Sequence, residues 1–280
     1  MQEIFEFRIS YEFATRLFAP GEGKDLGDSV KVVHITKEDP RFFQIPVIDE
    51  ELTKKFNKGF YFGWNIYHTY TKNEIEQASL FNVRLKAVFE PPGEMCDTEY
   101  DETVACEICG SNRKQIDSLK LKKGSIPKKD IARTIAGEVV VSEKLKECFQ
   151  NYNLKGITFE PVMSGKNVLN VYQPKITSPE LLLTEKTKAG INPFDFSESE
   201  GGEIYKCPKG HTIGLNLLSE VYIEDIAAIG QFDFFATKQK VGVKRGLLRP
   251  QPLYLCSQAF RRMIVNEKLS GFDFEVAHIE

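Results

Sequence analysis

Apolar and polar positions alternate in several short stretches, and turn or capping residues bound most of them. Val30-Lys31-Val32-Val33-His34-Ile35 reads as a strand that follows a glycine-rich turn at Gly21 to Gly27. Residues 1 to about 20 alternate only in part and read as strand or mixed structure. Gly59 to Tyr67 is aromatic and punctuated by glycine, as in a strand packed closely on a neighbour. Thr71-Lys72-Asn73-Glu74 has the form of a capping box. With Ile75, Ala78, Leu80 and Phe81 behind it, it predicts a short helix over about 72–81. Val83 to Phe89 alternates as a strand, and Pro91-Pro92-Gly93 ends it and marks a boundary. Ser178-Pro179-Glu180 combines a cap, a first-turn proline and a carboxylate, which predicts a helix start. Asp195 to Glu203 reads as an exposed acidic loop.

The second half carries a possible internal repeat. Residues 139–162 align without a gap on the segment that starts at Tyr254. Ser142 matches Ser257, Asn151 matches Asn266, Leu154 matches Leu269, Gly156 matches Gly271, Phe159 matches Phe274 and Glu160 matches Glu275. Apolar character is kept at Leu145/Phe260, Cys148/Met263, Phe149/Ile264 and Ile157/Phe272. Each copy reads as a strand, a serine N-cap, an amphipathic helix, a terminating glycine and a second strand. Asp130-Ile131-Ala132 and Asp225-Ile226-Ala227 are candidate upstream echoes.

Each repeat is preceded by a pair of metal-type ligands: Cys106-Glu107-Ile108-Cys109-Gly110, then Cys207-Pro208-Lys209-Gly210-His211. A C-x-x-C-G turn holds two thiolates on one tight loop, and Cys-Pro-x-Gly-His supplies a thiolate and an imidazole. Three thiolates and one imidazole suit a tetrahedral structural zinc at Cys106, Cys109, Cys207 and His211. The gap between the pairs is far longer than in compact zinc fingers. Duplication accounts for it if each half contributes one knuckle. Cys96 is a spare thiol or an alternative ligand; Cys148 and Cys256 sit in apolar patterns and read as core.

Composition narrows the class. The 280 residues permit one large or two ordinary domains, 41% are hydrophobic and 28% charged, and the net charge is -3, so no global field selects nucleic acid or membrane. With no basic-then-apolar leader and six irregularly spaced cysteines, the expectation is a cytoplasmic protein with reduced thiols that does not enter a membrane. Local basic clusters remain: Lys120, Lys122, Lys123, Lys128 and Lys129 (within 120–129), and Lys238, Lys240, Lys244, Arg245 and Arg249 (within 238–249). They suit either solvated hairpin faces or phosphate contacts.

Catalytic readings are weaker. Thioredoxin-like chemistry needs a helix N-terminus after the C-x-x-C pair, and Gly110-Ser111-Asn112 is a turn. His278-Ile279-Glu280 matches half of a zinc-deaminase signature, but in inverted order and at the end of the sequence. Four protein ligands leave no open vertex for water. His34 and His68 have no partnered nucleophile in view.

The Cys106-Glu-Ile-Cys-Gly knuckle, the Val-Ser-Glu-Lys-Leu…Leu-Lys-Gly-Ile-Thr-Phe-Glu-Pro-Val stretch and the second knuckle resemble the double-CXXCG proteins of bacteria, over roughly residues 90 to 280. The resemblance implies a zinc-binding protein of the kind that includes immunity proteins neutralising co-encoded toxins. The chain departs from that pattern with Cys207-x-x-x-His211 in place of a second C-x-x-C. The fold expected is α+β: a mixed α/β region over 1–90, then a zinc-binding duplicated domain over 91–280 with two related strand–helix–strand units. The function expected is non-enzymatic binding of a protein partner, a toxin on the resemblance, with nucleic-acid binding by the basic clusters as the alternative.

Overall fold

Two units make up the computed structural model, Met1–Gln77 and Ala78–Glu280. It describes residues 1–194 and 204–280, so the acidic stretch 195–203 lies outside the described residues. The fold is mixed, mostly sheet with few helices. The division falls before the boundary expected near residue 90, because the strands just after residue 78 pair within the second unit.

In the first unit, strand alternation builds the core. β1 (Gln2–Ser10) turns Phe5, Phe7 and Ile9 inward and leads into the short helix α1 (Tyr11–Ala14). β2 (Lys24–Leu26), β3 (Val30–Ile35) and β4 (Tyr61–Thr69) complete a sheet of order β2-β3-β1-β4. Helix α2 (Gln44–Phe56) buries Ile45 and Leu52, and Asn57 ends it in the left-handed region. The capping box at Thr71 forms as read: Glu74 accepts from the Thr71 N–H at 2.7 Å, and Thr71 Oγ1 accepts from the Glu74 N–H at 3.2 Å. The helix it starts, α3 (Lys72–Gln77), is shorter than expected, because Leu80 and Phe81 belong to the next strand.

The second unit holds two five-stranded sheets. One takes β6 (Val88–Phe89), β9 (Ile131–Thr134), β10 (Val139–Ser142), β11 (Ile157–Ser164) and β12 (Asn167–Ile176), in the order β11-β12-β10-β9-β6. The other takes β5 (Leu80–Leu85), β15 (Val221–Ile223), β16 (Phe234–Val241), β17 (Gln251–Ser257) and β18 (Phe272–Ile279), in the order β15-β18-β5-β17-β16. Two small ribbons, β7 (Tyr100–Asp101) with β8 (Lys114–Gln115) and β13 (Ala189–Gly190) with β14 (Asn216–Leu217), flank the ligand-bearing loops.

Segments 139–162 and 254–277 carry the same elements. Helix α4 (Glu143–Asn151) follows β10 as α5 (Gln258–Asn266) follows β17. Ser142 Oγ accepts from the Leu145 N–H and Ser257 Oγ from the Phe260 N–H, both at 3.1 Å, as N-caps do. The same serines donate to Asp130 Oδ1 at 2.9 Å and Asp233 Oδ1 at 2.8 Å. The second aspartate oxygens reach across: Asp130 accepts from the Ser270 N–H at 2.7 Å and Asp233 from the Lys155 N–H at 2.9 Å. The partner of Asp130 is therefore Asp233 and not Asp225, which the upstream echo suggested. Asp225 lies ahead of β16, and its N–H donates to the Glu280 carbonyl.

Gly156 and Gly271 show why glycine stands after each helix. Their φ angles are 111° and 101°, and an added Cβ would lie 2.3 Å from the carbonyl oxygen of Phe234 or Ile131 respectively. Each glycine thus lets the chain press against the opposite sheet.

The two sheets place their central strands alike. β5 lies between β17 and β18, antiparallel to both, while β12 lies between β10 and β11, also antiparallel to both. After β5, β6 pairs in parallel with β9; after β12, Leu181 bridges in parallel to Thr237 of β16. The helix expected at Ser178-Pro179-Glu180 is absent. Ser178 Oγ instead donates to the Phe234 carbonyl at 2.8 Å, and the extended chain continues into the Leu181 bridge. A sheet edge was available to pair the backbone there, and pairing outweighed the capping signal.

Candidate metal centre

The two ligand loops close in the same way. The Cys106 N–H donates to the Ser111 carbonyl at 2.8 Å, and the Cys207 N–H donates to the Thr212 carbonyl at 3.0 Å. Cys106 and Cys109 thereby turn their sulfurs to one side of the first loop, with Gly110 at a φ of 67°. In the second loop the other ligand sits one position later, where the longer histidine side chain spans the added distance. The Thr212 hydroxyl also accepts from the Cys207 N–H at 3.0 Å, and the Lys240 N–H donates to the His211 carbonyl at 2.8 Å. This anchors the second loop to β16.

Cys106 Sγ, Cys109 Sγ, Cys207 Sγ and His211 Nδ1 lie within 4.8 Å of one another, although the two cysteine loops are separated by 101 positions. Cys106 and Cys207 sulfurs are 3.9 Å apart, Cys109 Sγ is 3.9 Å from His211 Nδ1, and Cys207 Sγ is 3.8 Å from the same nitrogen. A tetrahedral centre with ordinary zinc bond lengths has edges of about 3.6–3.8 Å. All three cysteines are buried and the histidine half-buried, so the donors converge away from bulk water. This group can hold a metal ion.

Comparison with protein-family models found no match. Comparison with curated proteins found none either.

The surroundings favour a thiolate at Cys106. The Cys109 N–H and, less strongly, the Ile108 N–H point at the Cys106 sulfur and pull its pKa down to about 6. Burial pushes the Cys109 thiol up, against hydrogen bonds from Ser111. Metal binding would supply the missing positive charge and drive the proton off. Three lysines stand by. Lys209 Nζ pairs with Glu107 at 2.8 Å, linking the loops; Lys240 Nζ donates to Asn112 Oδ1 at 2.9 Å; and the Lys244 stem covers Gly110. Burial lowers the Lys240 pKa, while Glu180 and the Cys109 sulfur oppose that shift. The sequence shows Lys209 within the second knuckle and Lys240 and Lys244 within a basic cluster, but not their placement around the cysteines, which depends on how the loops and β16 come together.

The remaining candidates fall elsewhere. Cys96 ends a 3₁₀ turn at Gly93–Cys96 and is not part of the four-ligand group; Cys148 is half-buried on α4 and Cys256 fully buried in β17. His278 stacks on Tyr222 with ring centres 4.6 Å apart and lies 3.1 Å from Glu220, apart from the cysteines. His34 and His68 face Glu6 and Glu3. The basic clusters are partly occupied internally: Lys120 pairs with Asp117, and Arg249 faces Glu94 and Glu102. Lys122, Lys123, Lys128, Lys129, Lys238 and Lys244 are exposed. Among the described residues, no helix is long and apolar enough to cross a membrane.

Proposed function

We propose that this chain is a non-enzymatic protein, stabilised by one structural zinc ion, that neutralises a toxin encoded beside its own gene. The observation that carries the metal half of this reading is the closure of Cys106, Cys109, Cys207 and His211 within 4.8 Å. Three thiolates and an imidazole are a donor set that zinc favours, and four protein ligands leave no vertex for a reactive water. The ion would tie the two loops together and do no hydrolysis. The matching caps, aspartate bridges and glycines of the two halves support an internal duplication in which each copy supplied one knuckle. The toxin half of the reading rests on the resemblance to the double-CXXCG proteins.

Elemental analysis of the purified chain tests the metal, with one zinc per chain expected. Its absence from a protein kept reduced and free of chelators would overturn the reading. Coexpression with the neighbouring gene product tests the partner: rescue of growth and copurification are expected, and undiminished toxicity counts against it. The second reading, nucleic-acid binding, is favoured by the exposed Lys122, Lys123, Lys128 and Lys129. It requires a complex with DNA or RNA that weakens steeply with salt.

A further inference from the structure

The two repeats differ where the second extends its hairpin. Arg133 pairs with Val139 and Ala236 with Tyr254, so Thr134 of β9 corresponds to Thr237 of β16. β9 ends at that threonine, and the Gly137 N–H turns the chain back by donating to the Thr134 carbonyl at 3.0 Å. β16 instead continues to Val241. The extension carries Lys240, which touches both ligand loops. Its N–H donates to the His211 carbonyl at 2.8 Å, and its carbonyl accepts from the Ile213 N–H at 3.0 Å. Its Nζ donates to Asn112 Oδ1 at 2.9 Å, and Asn112 follows the first loop in the left-handed region at a φ of 71°. One residue thus holds the second loop by its backbone and the first by its side chain.

The charge on that side chain has no carboxylate to balance it. Among the described residues no carboxylate forms an ion pair with Lys240, whose ammonium meets the neutral amide of Asn112. The groups of opposite sign that act on it are the carboxylate of exposed Glu180 and the sulfur of Cys109. The other lysines at the loops differ. Lys244 is exposed, and Lys209 meets Glu107 at 2.8 Å in an exposed pair of the kind that contributes little. Lys240 is half-buried, where a charge is screened less by water and salt. Three thiolates and a neutral imidazole around a divalent ion carry one net negative charge. A cation partly withdrawn from water gains from such a group the attraction that no carboxylate supplies here.

We propose that Lys240 is a positioning residue of the metal centre, tying the two ligand loops together and supplying the positive charge that offsets an anionic zinc–thiolate group. The proposal rests on the zinc reading above and extends it to a residue that donates no bond to the ion. The extension that carries Lys240 has no counterpart in the first repeat, so a single strand serves both loops.

Zinc affinity of the full chain, measured by competition with a chromophoric chelator, tests this together with the melting temperature of the chelated, metal-free chain. Lys240→Met keeps the backbone contacts and most of the stem. It should weaken zinc binding by about ten- to a hundredfold, as loss of a supporting group around a metal site does. The metal-free variant should melt no lower than metal-free wild type, because a cation without a carboxylate partner has been removed. Lys240→Arg, which keeps the charge, should bind zinc within about threefold of wild type. Affinity for zinc that Lys240→Met leaves unchanged overturns the proposal, as does a Lys240→Arg variant as weak as Lys240→Met. A Lys240→Met chain that fails to fold, or that melts lower without metal, assigns the residue to the fold instead and overturns it too. Wild-type protein that takes up no zinc sinks the metal reading itself, an outcome separate from any difference between variants.

Discussion

At the scale of single residues, the six cysteines divide by their surroundings: Cys106, Cys109 and Cys207 converge with His211, while Cys96, Cys148 and Cys256 lie outside that group. Cys106→Ser removes a thiolate from a buried four-donor set, so metal content should fall well below one ion per chain and the melting temperature should drop. Cys148→Ser changes a half-buried helix position and should leave metal content unchanged; elemental analysis of both variants separates the roles. Asp130 makes a second residue-scale case. Burial alone would raise its pKa, but the N–H and hydroxyl of Ser270 and the hydroxyl of Ser142 hold it below the ordinary carboxylate value. A depressed folded pKa means that the stabilisation is complete above the unfolded value of about 3.9 and is lost as pH falls through the folded one. Asp130→Asn should therefore cost about 1–3 kcal/mol at neutral pH. That difference should shrink in denaturation curves measured below about pH 4. A constant difference across pH would argue against the charge-based account.

Among the elements, α4 and α5 depend on the same devices. Each begins at a serine whose oxygen accepts an N–H from the first turn, so Ser142→Ala and Ser257→Ala should each lower stability by about 1 kcal/mol. Each helix is followed by a glycine that touches the facing sheet. Gly156→Ala and Gly271→Ala place a methyl where a carbonyl oxygen already lies and also disfavour the required φ. Urea denaturation should show losses of at least about 1–3 kcal/mol for either, larger than the cap losses. Equal or smaller losses would mean that the backbone there yields easily.

For the molecule as a whole, a bound ion and the central strands of the two sheets would hold the second unit together in different ways. The ion would join only the two loops, whereas β5 is seated between β17 and β18 and β12 between β10 and β11. Chelation should accordingly raise hydrogen exchange around Cys106–Ser111 and Cys207–Thr212 while β5, β12, β10 and β17 stay protected. Global exchange on chelation would show instead that the metal governs the whole unit. Acid should produce the same local loosening, because thiols and imidazolium must lose protons to bind a metal ion and regain them as pH falls.

The sequence by itself determined the local features whose physics is contained in a few neighbouring residues. The capping box at Thr71, the strand over Val30–Ile35, the serine caps of α4 and α5 and the glycines behind them were all legible. So was the choice of Cys106, Cys109, Cys207 and His211 as donors that could hold a metal ion, since thiolate and imidazole chemistry is carried by residue type. Helix α2 was missed although Lys54, Lys55 and Asn57 sit at its end, because no side chain caps its start. The false helix at Ser178 had good local signals, but its backbone found a partner in β16. The same limit explains the place of β5. Which strand fills the gap between β17 and β18 depends on a pairing between Val83 and both Tyr254 and Phe274. Hydrogen bonds of that range leave no mark on the neighbouring sequence, and the counterpart of Asp130 was misplaced for the same reason. The close approach of Cys109 to His211 likewise depends on which chains the tertiary fold brings alongside, and only that fold decided it.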